Sequence, residues 1–277
     1  MPVAVVVLFA AGLHATWNAL VKSVGDRLAL MAVMGLWSVA ICVPVALFAV
    51  APLPAAWPEL AASIVLHNVY NLLLIESYRE GDYNQVYPIA RGVAPPAVAV
   101  ASVVVVGESL SALQTVGVLT VSAGLIVIAS GSRHEPKRAL AFAVLTGLVI
   151  AAYTVVDGVG VRKSGSVLGY ATWLFVGMGA LTALILVVVN QQTGQRSRIT
   201  RSLVPLGAVA DVLSLAAYGL VLWAQTRGAL AVVAALRETS VVFAAGLGAI
   251  VFHERLPARR ILGSVVIAAG AGALALG

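Results

Sequence analysis

Residues 91–110 read RGVAPPAVAVASVVVVGESL, and residues 237–256 read RETSVVFAAGLGAIVFHERL. Each stretch begins with an arginine, has a glutamate seventeen residues later and a leucine two residues after that, and is followed by two glycines at intervals of seven. The matching positions all differ by 146 residues: Arg91 and Arg237, Glu108 and Glu254, Leu110 and Leu256, Gly117 and Gly263, and Gly124 and Gly270. Five pairs in one register predict an internal duplication, with halves at residues 1–134 and 135–277.

The composition places both halves in a lipid bilayer. Hydrophobic residues make up 61% of the chain and charged residues only 10%, and the mean hydropathy is +1.02. A soluble domain has about 25% charged residues, because its surface faces water. Five long runs contain no Asp, Glu, Lys or Arg: Leu28–Pro58, Ser109–Ser132, Ala139–Val156, Ser164–Gln195 and Ile261–Gly277.

Ten spans can be placed between the charged or Gly/Pro-rich breaks. Tight connections leave nine or ten spans open, and the duplication favours ten, with five in each half. An odd number in each half makes the second enter the membrane in the opposite sense. The predicted fold class is therefore an all-α integral membrane protein whose ten transmembrane helices form two inverted five-helix repeats. The spans are placed at 2–21, 27–50, 57–79, 83–106, 110–130, 139–161, 167–189, 202–226, 229–252 and 257–276.

Other classes fit the residues less well. The net charge of +6 does not indicate nucleic-acid binding, because the Lys and Arg residues lie mostly in short connections, as membrane topology signals do. Cys42 is the single cysteine, so no disulfide is expected within the chain. The N-terminus has no positively charged leader region and is interpreted as a retained first span. No phosphate-binding lysine loop or zinc motif occurs, so no enzyme activity, cofactor or metal is expected.

Several motifs resemble those of a known family. They are GDYNQVYPIARGVAP at residues 81–95 with GESL at 107–110 and Gly117, AALRETS at 234–240 with HERL at 253–256, and HATWN at 14–18. Over the whole chain they resemble the drug/metabolite transporter superfamily, and more narrowly its EamA-type ten-helix carriers. The resemblance implies a multi-pass carrier in the cytoplasmic (inner) membrane, often an exporter of amino acids or other small metabolites. It does not identify the substrate.

Two arginines within predicted spans are candidate anion-binding residues. Arg91 lies one helical turn after Tyr87, and a guanidinium with a phenol beside it suits a carboxylate or phosphate-like group. The alternative is that Arg91 pairs with a carboxylate on a neighbouring helix or extends to the membrane surface. Arg237 is its counterpart in the second half. Successive helical residues point about 100° apart, so we expect Arg237 to face a cavity and the adjacent Glu238 to tie helices together.

Further polar faces lie at helical spacing in both halves. His14 and Asn18, with Trp17 beside them, share a face of the first span, and His67 and Asn71 repeat that spacing in the third. They are candidate substrate-binding residues, and the alternative is interhelical hydrogen bonding.

Three further candidates lie in the second half: Tyr153 in the sixth span, and Asp211 and Tyr218 in the eighth. A carboxylate within the membrane can carry a proton, so proton antiport is a hypothesis, with protons a candidate partner. Asp211 is preferred to Asp157, which lies near Arg162 and Lys163 at a span end.

Glu108 and Glu254 are assigned to helix N-termini, where an acidic group complements the helix dipole. Glycines 117, 124, 263 and 270 are assigned to close helix contacts. Lys and Arg number twelve in the odd-numbered connections and three in the even ones. That asymmetry predicts external termini, whereas the resemblance implies internal ones. A reporter fused to Gly277 distinguishes the two.

Together these features predict a secondary transporter for a small polar metabolite such as an amino acid or organic anion. The expected direction of transport is export. Transport is expected to proceed by alternating access between the two halves. The alternatives are an integral membrane enzyme, and a carrier of lipid-linked sugars or drugs with the same architecture. The expected partners are the lipid bilayer and a small-molecule substrate, and the oligomeric state is left open.

Overall fold

The computed structural model describes residues 2–81, 83–130, 136–193, 199–251, 253 and 256–277. Within these ranges the chain forms eleven α-helices, with a 3₁₀ turn at Pro54–Ala56 before α3 and a π-helical turn at Ser102–Val106 after α4. The helices are α1 (Pro2–Lys22), α2 (Arg27–Phe48), α3 (Trp57–Glu80), α4 (Tyr83–Ala101), α5 (Ala112–Ala129), α6 (Lys137–Lys163), α7 (Val167–Thr193), α8 (Leu203–Gln225), α9 (Leu230–Arg237), α10 (Ser240–Val251) and α11 (Ala258–Leu276).

The described helices have the length and surface of membrane spans. Nine segments among them, counting Leu230–Val251 as one, are long and apolar enough to cross a bilayer. The 24-residue α3 is also long enough, at about 1.5 Å per residue, but it carries His67, Asn68 and Asn71. Large apolar side chains face outward, among them Phe48 at 91% exposure. The all-α integral membrane fold class is confirmed, and the chain is a multi-pass membrane protein.

The ninth predicted span, 229–252, is present as one span, Leu230–Val251, but its helix is interrupted, which the sequence did not indicate. The helix ends at Arg237 and restarts at Ser240. Across the break the backbone bonds tighten to the 3₁₀ pattern: the Glu238 amide donates to the Ala235 carbonyl at 3.1 Å and the Val241 amide to the Glu238 carbonyl at 3.0 Å. Glu238, a fully buried carboxylate, lies at this break. A mid-helix 3₁₀ stretch often marks a functional hinge.

The helices of the two predicted halves pack in reciprocal pairs. If α1, α2 and α3 correspond to α6, α7 and α8, then α1 packs on α8 as α6 packs on α3. The pairs α2 with α7 and α5 with α11 each join corresponding helices. A twofold relation between the halves would produce this pattern. The division at residues 134 and 135 itself stays a prediction.

Glycines allow α5 and α11 to approach closely. A Cβ added at Gly124 would lie 2.8 Å from the Gly263 carbonyl oxygen, and one added at Gly263 would lie 2.6 Å from the Gly124 carbonyl oxygen. Gly117 and Gly270 face each other in the same way further along the two helices. The backbones are therefore in contact, and van der Waals packing between them stabilises the pair in lipid.

We expect Gly124→Ala or Gly263→Ala to lower the melting temperature of the purified protein, because the added methyl group must push two backbones apart. Overpacking of this kind costs about 1–3 kcal/mol. Gly272→Ala is the matched control on α11, since an added Cβ there meets nothing within 4 Å. Equal melting temperatures for all three variants would contradict the close contact.

Polar contacts at one end of the bundle join loops from both halves. Glu108 accepts a hydrogen bond from Arg162 Nη2 at 2.7 Å and from the Leu230 backbone amide at 2.9 Å. Glu108 thus lies at a helix N-terminus as expected, but at that of α9 rather than α5. The α5 N-terminus has its own capping box of Ser111 and Gln114. Glu254, its predicted counterpart, lies outside the described residues.

Candidate functional site

A cavity of about 170 Å³ lies between helices of both predicted halves. It has room for on the order of ten water molecules. Ten of the eleven predicted site residues line it: His14, Trp17, Asn18, His67, Asn71, Arg91, Tyr153, Asp211, Tyr218 and Arg237. Tyr87 instead lines a second cavity of about 280 Å³, which shares His14 and Asn18 with the first. Candidate residues from His14 to Arg237, more than 200 positions apart in the sequence, therefore line one cavity.

Arg91 is held in an ion pair between the two predicted halves. Its Nε lies 2.6 Å from Glu238 Oε2, and both side chains are almost fully buried. Arg91 Nη2 also donates to Ser240 Oγ at 3.4 Å. In this conformation Arg91 therefore pairs with a carboxylate of another segment, which was one of the alternatives to anion binding. The carboxylate comes from the break between α9 and α10.

Arg237 has no such partner in the described part of the chain. Its side chain lines the cavity, the residue is 4% exposed, and its Nε has no hydrogen-bond partner among the described residues. Its guanidinium carbon lies 5.9 Å from the centre of the Tyr153 ring, which is within the range of a cation–π contact. As the 100° spacing predicts, Arg237 and Glu238 point to different surroundings. A buried guanidinium facing a cavity has donors available to an anionic ligand.

Asp157, which the sequence argument set aside, lies in a buried polar cluster beside the cavity. It is fully buried, and its carboxylate accepts hydrogen bonds from the Tyr170 and Tyr218 hydroxyls. His67 Nε2 lies 3.9 Å from Oδ2. The proximity of Arg162 and Lys163 in sequence was misleading, because these cations pair with Glu108 and Glu59 at the bundle end. The helix α6 continues to Lys163, six residues beyond Asp157, so the carboxylate lies further inside the helix than the predicted span end at 161 indicated.

Asp211 is a second buried carboxylate, on the α2 side of the cavity. Ser38 Oγ donates to its Oδ1 at 2.6 Å, while Oδ2 has no hydrogen-bond partner among the described residues. The residue is 3% exposed and lines the cavity. In contrast to Asp157, Asp211 keeps an oxygen that a ligand can use.

An aromatic and amide wall connects these charges. The His67 ring stacks on Tyr153 with centroids 3.9 Å apart and meets Tyr218 edge-on at 5.4 Å. His14 and Trp17 form a similar edge contact at 5.0 Å. Some of the amides do bond within the protein, since Asn18 donates to the His14 carbonyl oxygen at 2.8 Å.

Comparisons with known proteins agree with this architecture. The model of the EamA-like transporter family matches residues 137–276, which is half of the chain. The fold of this chain is similar to that of a solved structure described as the crystal structure of a protein. The two match with a TM-score of 0.78 and 16% sequence identity, and the match covers 99% of this chain and 95% of that chain. At that identity the likeness shows the fold alone. No sequence among the curated proteins matches.

A polar cavity inside a multi-pass helical bundle is a feature that membrane transport proteins have. The chain belongs to the EamA-like transporter family, as the motifs indicated. It is therefore a membrane transporter of the drug/metabolite superfamily, with the lipid bilayer and a small-molecule substrate as its partners. A transporter family points away from the enzyme alternative.

Proposed function

We propose that this protein is a secondary transporter that exports a small polar metabolite, such as an amino acid or organic anion, across the cytoplasmic membrane. The observation that carries this proposal is the buried Arg237 side chain, which lines the cavity without a carboxylate partner in the described chain. A charge within the bilayer costs at least about 2.5 kcal/mol on insertion scales. An anionic group of the substrate would supply the missing counter-charge.

Alternating access between the two halves is the proposed mechanism. Arg91 on α4 and Glu238 between α9 and α10 form an ion pair that joins the predicted halves. The two cavities share His14 and Asn18 as a common wall, and Ser240, a partner of Arg91, lines the second. Movement of α10 about the break at Glu238 would separate this wall. Discontinuous helices at the substrate site are a known feature of inverted-repeat transporters.

The test is transport by the purified protein in proteoliposomes. We expect radiolabelled amino acids or organic acids to exchange across the membrane and to be recovered chemically unchanged. Product formation would support the membrane-enzyme alternative instead. Protein-free liposomes are the control, and failure of every polar metabolite tested, with transport of lipid-linked sugars or apolar drugs, would contradict the proposal.

The proteoliposome assay also tests a separate prediction, that transport is coupled to protons. Buried carboxylates with contrasting surroundings are available: Asp211, which faces Ser38, and Asp157, which faces His67 and two tyrosines. Exchange of a proton for substrate would make uphill transport depend on an imposed pH gradient. We expect the initial rate to rise with the gradient. Equal rates with and without it would exclude proton antiport and leave the transport proposal standing.

A further inference from the structure

Asp211 is the carboxylate that lines the cavity among the described residues, and one of its oxygens lacks a hydrogen-bond partner there. Glu238 is paired with Arg91, and both oxygens of Asp157 accept tyrosine hydroxyls. Asp211 accepts from Ser38 alone, and its Oδ2 has no partner among the described residues. A buried carboxylate oxygen without a donor is costly, so a ligand with a cationic group would satisfy it.

Asp211 on α8 and Arg237 on α9 line the same cavity. Asp211 contacts α2, and Tyr218 follows it after seven residues of α8, which is about 10 Å along the helix axis. From Tyr218 the wall continues through the His67 and Tyr153 rings to Arg237. The two opposite charges form no ion pair with each other in the described chain. They are therefore separated binding points of one cavity.

The wall between these charges is largely apolar. Phe175, Met178 and Ala217 line the same cavity, and Phe175 packs edge-on against Tyr218 at 6.1 Å. A hydrocarbon segment would bury its surface there, at about 25 cal/mol per Å². The cavity wall thus combines a buried arginine, apolar surface and a buried carboxylate.

We propose that the substrate is a zwitterion whose anionic and cationic groups are separated by a short hydrocarbon chain, with the anion at Arg237 and the ammonium group at Asp211. This inference rests on the proposed transport function and names its substrate class. An α-amino acid with an uncharged side chain, in which the two charges are adjacent, would reach only one of the two binding points. An ω-amino acid would reach both.

The experiment measures binding to the purified full-length protein at pH 7 with 6-aminohexanoate, hexanoate, hexylamine and glycine as probes. We expect 6-aminohexanoate to bind about tenfold or more tightly than each of the others, because each lacks one charged contact or the separation. Asp211→Asn should abolish the preference for 6-aminohexanoate over hexanoate. Glu80→Gln is the control carboxylate, since it lies in a partly exposed pair with Arg138.

The outcomes separate this inference from the transport proposal. Hexanoate binding as tightly as 6-aminohexanoate to the unaltered protein would overturn the zwitterion and leave an anion transporter. Equal binding of glycine would overturn the separation of the two charges, and a preference that survives Asp211→Asn would overturn the role of Asp211. Failure of all four probes to bind would overturn this substrate class, whereas the proteoliposome assay with other metabolites tests transport itself. The comparison of probes needs no variant, so it holds even where Asp211→Asn does not fold.

Discussion

Glu238→Gln is expected to lower the free energy of unfolding by about 3–5 kcal/mol, because it leaves the Arg91 guanidinium buried without its counter-charge. The two side chains are 3% and 1% exposed, and their nearest charged atoms are 2.6 Å apart. Because the arginine side chain is almost fully buried, water replaces little of the lost carboxylate. Arg91→Met should cost a similar amount by isolating Glu238. Both effects would appear as a large fall in melting temperature in detergent.

The double variant separates pairing from other roles of the two residues. Replacing both members of a buried ion pair with apolar groups is often neutral or stabilising, so Arg91→Met with Glu238→Met should recover much of the lost stability. The control is the Glu80–Arg138 pair, whose arginine is 69% exposed. Breaking an exposed pair has little effect. Additive losses in the Arg91 and Glu238 double variant would contradict the ion pair.

The Arg91–Glu238 ion pair was predicted only in part from the sequence. The repeated register of Arg91 and Arg237 predicted two corresponding positions, and the 100° spacing predicted that Arg237 and Glu238 diverge. The sequence did not indicate that Arg91 would take Glu238 as its partner, because that contact joins residues 147 positions apart. It depends on the helix break, and an apolar segment such as 229–252 has no Pro to mark one.

Asp157 illustrates a second limit. Local sequence placed it close to Arg162 and Lys163, and it was therefore interpreted as lying at a span end. In the folded chain those cations point to Glu59 and Glu108, whose loops the helices bring to the same end of the bundle. Fold class and family followed from composition and motifs, because they depend on patterns along the chain. The pairing of buried charges depends on packing between helices.

The second large effect concerns Arg237 and transport. Arg237→Gln keeps polarity and most of the volume but removes the charge that we propose binds an anionic group of the substrate. Truncating one partner of a buried charged contact costs about 2–5 kcal/mol, which corresponds to a loss of at least about thirtyfold in affinity. Stability should change less than in Glu238→Gln, because Arg237 has no carboxylate partner in the described chain to leave behind. Arg237→Lys, which keeps the charge but not the fork of donors, should fall between the two.

The most direct measurement is therefore the rate of counterflow of a radiolabelled amino acid or organic acid in proteoliposomes. The unaltered protein is compared with Arg237→Gln and Arg227→Gln at equal reconstituted amounts. Arg227 is the matched control, since it lies over Trp223 at the end of α8 and does not line the cavity. We predict transport by the unaltered protein and by Arg227→Gln, and a loss of at least about thirtyfold in kcat/KM for Arg237→Gln. Unchanged counterflow in a folded Arg237→Gln protein would contradict the assignment of Arg237 as the anion-binding residue.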